Sequence, residues 1–95
     1  MATPNPATQI RYVQDPNVLT RDLRDAVLIL QPANDDVIIL RGTAREVWRE
    51  FDRPSTIDLA IARLAEQFGA SEDGIRRDVS ALTLDLAQRT ALVEQ

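Results

Sequence analysis

The sequence predicts an α+β domain in which a three-stranded antiparallel sheet is followed by three helices. Three short runs rich in β-branched and aliphatic residues, Val18–Leu23, Ala26–Gln31 and Asp36–Leu40, are separated only by turn-forming residues. Two apolar-periodic runs follow, one around Trp48 and one over Ile57–Phe68, each with helix start and stop signals. The last run, Ser71–Val93, holds the longest unbroken helical periodicity in the chain.

Taken in order, Met1–Asn17 contains three of the five prolines and no helical period, so residues 1–17 are expected to be a flexible lead-in and residues 18–95 the folded domain. Ile10, Tyr12 and Val13 have the character to pack loosely or extend a strand. Arg24-Asp25 and Pro32-Ala33-Asn34-Asp35 supply the turns of a meander. Val27–Leu30 and Val37–Leu40 are apolar at successive positions, so both faces of the sheet want cover, whereas a sheet backed on one side alternates. The lead-in and a partner chain both qualify as that cover.

Thr43-Ala44-Arg45-Glu46 fits a capping box that opens a helix carrying Val47, Trp48 and Phe51, stopped by Pro54. Trp48 reads as a core anchor. Thr56 or Ser55 caps the second helix, whose buried face is Ile57, Ala60, Ile61, Leu64 and Phe68, and Gly69 ends it. In the third helix, Ser71 is the N-cap, and Glu72 and Asp73 sit where the helix dipole favours carboxylates. Ile75, Val79, Leu82 and Leu86 stack into one apolar stripe. Beside it runs a small and acidic stripe, Gly74, Asp78, Ala81 and Asp85, while Leu84 stands alone on the opposite side.

Composition narrows the function. The 95 residues include no cysteine and no histidine, which removes thiolate nucleophiles, zinc-thiolate sites, the commonest metal ligand and the commonest general base. Neither a cofactor nor an enzymatic activity is expected. The formal charge is −4 and all 11 basic residues are arginine. An acidic balance opposes the phosphate neutralisation that dominates nucleic-acid affinity, so nucleic acid is an unlikely partner. No apolar run reaches the ~18 residues of a membrane helix and no signal peptide is visible, which points to a cytoplasmic protein without membrane contact.

Two helices joined by a short turn, next to strands, form the local pattern of a winged helix-turn-helix, with Arg76 and Arg77 where a recognition helix reads bases. A DNA-binding regulator is therefore the alternative reading, although Glu72, Asp73, Asp78 and Asp85 on the same helix oppose it. A dimerisation module built on the apolar sheet edge is a third. Catalysis by Asp78 and Asp85 would need a substrate pocket and strongly shifted acidities, of which the sequence carries no sign.

The pieces also occur in a familiar order. Val18-Leu19, Val27-Leu28-Ile29-Leu30, Leu40-Arg41-Gly42-Thr43-Ala44, Val47-Trp48, Thr56-Ile57-Asp58, Leu64-Ala65, Phe68, Ile75-Arg76-Arg77-Asp78-Val79, Leu82, Leu86 and Leu92 follow one another over about four fifths of the chain. This run resembles the PqqD-like proteins, the peptide-recognition elements of pathways that make ribosomally synthesised and post-translationally modified peptides. Gly42, Ala60 and Thr90-Ala91 depart from the residues usual in that family.

The resemblance implies a non-catalytic chaperone that binds the leader segment of a precursor peptide and delivers it to a leader peptidase or another modifying enzyme. It points to lasso-peptide pathways first and quinone-cofactor pathways next. In such proteins the leader adds as an antiparallel strand along the third strand, in the groove toward the third helix. On this chain that implies a binding set of Val37, Ile38, Ile39, Leu40, Asp78, Ala81, Leu82 and Asp85. Strand hydrogen bonds contribute only about 0.5–1.5 kcal/mol each, while ordering a flexible leader costs upwards of about 4 kcal/mol. Side-chain pockets must supply the rest, at roughly 1.5–3 kcal/mol for each buried apolar group. Val37, Ile39 and Leu82 are expected to line them, with Asp78 and Asp85 meeting a basic leader residue. The register that decides which strand residues face the groove does not follow from the sequence. The protein is expected to be a monomer or a weak dimer.

Overall fold

The computed structural model describes residues 10–95, and the elements are β1 (Arg11–Gln14), β2 (Leu19–Asp22), β3 (Ala26–Gln31), β4 (Asp36–Arg41), α1 (Thr43–Arg49), β5 (Ser55–Thr56), α2 (Ile57–Phe68), α3 (Glu72–Gln88) and β6 (Leu92–Glu94). The three expected strands form an antiparallel sheet in the order β2-β3-β4, and the three expected helices follow it. A second antiparallel sheet, β5-β1-β6, was not foreseen.

That second sheet corrects the domain boundary. The expected lead-in covered Met1–Asn17, of which residues 1–9 lie outside the described residues. From Ile10 onward it belongs to the fold: β1 pairs with both β5 and β6, and Tyr12 is 6% exposed, meeting Phe51 edge-on with ring centroids 6.5 Å apart. Pro16 follows β1 without interrupting it. A strand tolerates a proline outside its ladder.

The core lies between the inner face of β2-β3-β4 and the helices. Val27, Ile29, Ile38 and Leu40 face it from the sheet, and Val47, Trp48, Phe51, Ile61, Leu64, Val79 and Leu86 from the helical side. The outer face of the sheet, with Leu19, Val37 and Ile39 each about half exposed, has no cover among the described residues.

Helix caps explain most boundaries. Thr56 Oγ1 accepts the Leu59 N–H at 3.1 Å and Ser71 Oγ accepts the Gly74 N–H at 3.0 Å, so both N-caps form as the sequence suggested. Replacing Ser71 or Thr56 by alanine is expected to cost about 1 kcal/mol each, read as a lower midpoint in urea with an unchanged slope. Gly69 ends α2 in the left-handed region at φ 65°, which is where its missing Cβ is needed.

The capping box at Thr43 does not form. Thr43 is already helical and Gly42 is the N-cap, at φ 58° and with no side-chain bond to the helix. The sharp strand-to-helix entry requires a glycine there, and this moves the helix start one residue earlier than a Thr cap allows. α1 ends at Arg49, ahead of Pro54.

The periodicity of Ser71–Val93 also outruns the helix. α3 stops at Gln88 because the chain is caught there by the β3–β4 hairpin. Gln31 Nε2 donates to Arg89 O at 2.7 Å, Asn34 Nδ2 donates to Thr90 Oγ1 at 2.9 Å, and Arg89 pairs with Asp36 at 3.1 Å. Thr90 takes φ 59°, and Leu92 then enters β6 rather than a further helical turn.

Candidate functional site

Register, which the sequence left open, is fixed by the ladder. β3 and β4 pair Val27 with Leu40, Leu28 with Ile39, Ile29 with Ile38 and Leu30 with Val37. The Gly42 N–H bonds to Asp25 O at 3.3 Å in the same register. Hydrogen-bonded pairs alternate in an antiparallel ladder, so Ile38 and Leu40 direct their N–H and C=O to β3. Val37, Ile39 and Arg41 direct theirs to the open edge, since β4 is the last strand of its sheet. The Val37 N–H is meanwhile held by Asp36 Oδ1 at 2.9 Å. Ile39 therefore offers the more available donor.

The same alternation sorts the side chains. Ile38 and Leu40 are 4% and 7% exposed and point into the core, whereas Val37 and Ile39 stand on the outer face. This corrects the expectation that Val37 and Ile39 line a pocket toward the third helix. They contribute backbone on that edge and side chains on the other face.

The C-terminal end of α3 is tied to the start of β4 by Arg89 and Asp36. At the other end, Thr43 and Ala44 meet Asp78 and Leu82 across a hollow of about 400 Å³, whose floor includes Val47 and Ile75. Phe68, 39% exposed, closes one side. The six residues of β4 extend about 20 Å at ~3.3 Å per residue, and Asp78 to Arg89 spans about 16 Å of helix. The facing edge and helix flank are thus matched for an extended segment of about five residues.

Four of the expected site residues lie on α3, and the structure splits them. Asp78 and Leu82 line the hollow beside Thr43. Ala81 and Asp85 instead line a separate, shallow cleft of about 800 Å³ against β6, nearer the C-terminal end of α3. A helix turns about 100° per residue, so a four-residue stripe such as 78, 81, 82 and 85 is wide enough to straddle two grooves. Spacing alone did not reveal that a strand occupied the second flank.

Charge also separates the flanks. Among the described residues Asp78 has no salt-bridge partner, while the neighbouring Arg76 is bound by Asp58 at 2.8 Å and Glu72 at 3.7 Å. The hydrogen bond that Arg76 donates to the Asp58 carboxylate, more than any other contact, holds the guanidinium above its ordinary value. Arg76 is spoken for. The helix that would read bases in a winged helix-turn-helix has one of its two leading arginines neutralised in place.

The profile of the family described as coenzyme PQQ synthesis protein D (PqqD) matches residues 26–92. The chain belongs to the PqqD family. The match runs from β3 to the start of β6, so β1 and β2 lie outside the part on which membership rests. A solved structure titled TbiB1 in complex with the TbiA(beta) leader peptide superposes with a TM-score of 0.75 at 14% identity, covering 84% of this chain and 93% of that one. At that identity the likeness is one of fold, α+β with the same course of strands and helices. No curated protein matches the chain.

Proposed function

We propose that this PqqD-family chain is a non-catalytic recognition element that binds the leader segment of a ribosomal precursor peptide. The leader adds as an antiparallel strand to β4. The observation that carries this reading is the open edge at Val37, Ile39 and Arg41, followed in the chain by an apolar hollow at the Thr43–Ala44 start of α1, whose one lining carboxylate, Asp78, has no salt-bridge partner among the described residues. Extended backbone satisfies the edge, an apolar leader side chain fills the hollow, and a basic leader residue meets Asp78. Delivery to a leader peptidase or modifying enzyme follows from the role. The fold shared with TbiB1, itself solved with a leader peptide, supports leader binding; a lasso-peptide pathway is proposed ahead of a quinone-cofactor one.

Fluorescence polarisation of a labelled leader, taken from a short precursor reading frame beside the gene, tests this at low and high salt. Saturable binding that persists in high salt is the expected result, because buried apolar groups carry it. Duplex DNA titrated in parallel should bind weakly and lose that binding steeply with salt. The reverse ranking would replace leader recognition with the DNA-binding reading.

Charge at the hollow gives a second test. Asp78→Arg should weaken a leader bearing a basic residue about tenfold and restore binding when that residue is changed to an acid. Asp85→Arg should leave both peptides unaffected, since Asp85 lines the other flank. Equal effects at the two positions would mean that only the general field of the helix is felt.

A further inference from the structure

α3 has an edge strand on each flank. Among the described residues β6 pairs only with β1, so it ends its sheet as β4 ends the other. Its ladder bonds are anchored by the Gln95 N–H to Arg11 O and the Asp15 N–H to Ala91 O, both at 2.9 Å. Residues 91, 93 and 95 therefore face β1, and the main-chain groups of Leu92 and Glu94 point away from it. Between this strand and α3 lies the 800 Å³ cleft, larger than the hollow beside β4.

The lining of the cleft has a definite character. Leu84, 47% exposed, and Val93, half-buried, give it apolar walls. Asp85 and Glu94 are its only charged lining residues, and neither has a salt-bridge partner among the described residues. Free strand edge, apolar walls and unpaired carboxylates occur together. Leu84, which is isolated when α3 is viewed alone, becomes part of a surface once β6 lies beside it.

We infer that this cleft is a second docking groove, which takes an extended segment with a basic residue between Asp85 and Glu94. The charge of the lining selects a cationic occupant, and the open backbone at Leu92 and Glu94 selects an extended one. That the segment belongs to the maturation enzyme rests on the leader-recognition reading. With the leader at β4 and the enzyme at β6, both ligands are held at once in two separate grooves along one helix.

The test uses the full chain and a defined probe, a capped fluorescent peptide of alternating valine and lysine about eight residues long. It is titrated with and without saturating leader, and its site is read from backbone amide shifts. The groove predicts shifts at Leu84, Asp85, Val93 and Glu94, with an affinity that saturating leader leaves unchanged. Asp85→Arg combined with Glu94→Arg should weaken the probe about tenfold or more, as should Glu94→Pro, which removes an outward donor and no β1–β6 bond. A valine–glutamate peptide should not bind.

Shifts confined to Val37–Arg41, displacement of the probe by leader, self-association of the chain through β6 without probe binding, or undiminished affinity in both variants each overturn the groove. The leader titration in the same samples keeps the two readings apart. Loss of leader binding with the probe still seated at β6 removes the enzyme as occupant and leaves the groove standing.

Discussion

Ile39→Pro should abolish leader binding in a domain that remains folded, while Ile38→Pro should unfold it. These neighbours have the same side chain and opposite backbone roles. The Ile38 N–H belongs to the β3–β4 ladder and its side chain is 4% exposed. Proline there removes a ladder bond and a core side chain, at about 3 kcal/mol for the backbone effect and 2 kcal/mol or more for the lost packing. Against a total stability of about 5–15 kcal/mol, that is ruinous for a small domain.

The Ile39 N–H points to the open edge, and its side chain is 49% exposed on the outer face. Proline is accepted on edge strands in that orientation. It removes the donor a leader strand needs, for about two- to tenfold in affinity from the lost bond alone, and it puts a ring in the strand's path, which blocks the pairing on either side as well. Circular dichroism melts and polarisation titrations of the two variants check both halves. A folded Ile39→Pro variant with full affinity would remove strand addition at β4 from consideration.

The contrast between these two isoleucines also marks the limit of sequence reading. DVIIL announces a strand, and its flanking turns announce a hairpin, because both are local signals. The ladder register is not local. A slip of one residue exchanges the faces, so Val37 and Ile39 could be expected in a pocket that Ile38 and Leu40 back. The same division runs through the fold. Thr56, Ser71 and Gly69 were legible because a cap is set by its nearest few residues.

β1, β5 and β6 were not. They are two to four residues long, and β1 finds Leu92–Glu94 some 80 positions away, a pairing with no local trace. Thr83, fully buried, returns its hydroxyl to Val79 O at 2.7 Å. With its polar atom satisfied inside the helix, it packs as an aliphatic residue would. Helix periodicity put Asp78, Ala81 and Asp85 on one stripe, beside the apolar stripe that carries Leu82. Only tertiary structure could divide that stripe between a β4 flank and a β6 flank.

Phe51→Ala should cause the largest loss of stability among side-chain truncations. Phe51 follows α1, is fully buried, and is the largest of the completely enclosed side chains. Its carbonyl accepts the Gln14 N–H at 2.9 Å while its ring meets Tyr12 edge-on at 82°. One residue thus fastens β1 to the helical core through both backbone and side chain. Truncation leaves the backbone bond possible and removes the ring, for about 3–5 kcal/mol of cavity and transfer cost, with about 0.5–1.5 kcal/mol more from the aromatic pair.

For a chain of this size each kcal/mol moves the midpoint by about 4–8 °C, so Tm should fall by roughly 15–50 °C. Phe51→Leu, which refills most of the volume, should recover more than half of that. Leader affinity measured well below the lowered Tm should stay close to normal in both, since Phe51 does not line the hollow beside β4. A Tm within a few degrees of the unaltered protein would mean that β1 is held by its ladders alone. A large fall in leader affinity in the still-folded Phe51→Leu variant would mean that the second sheet shapes the β4 groove as well as closing the core.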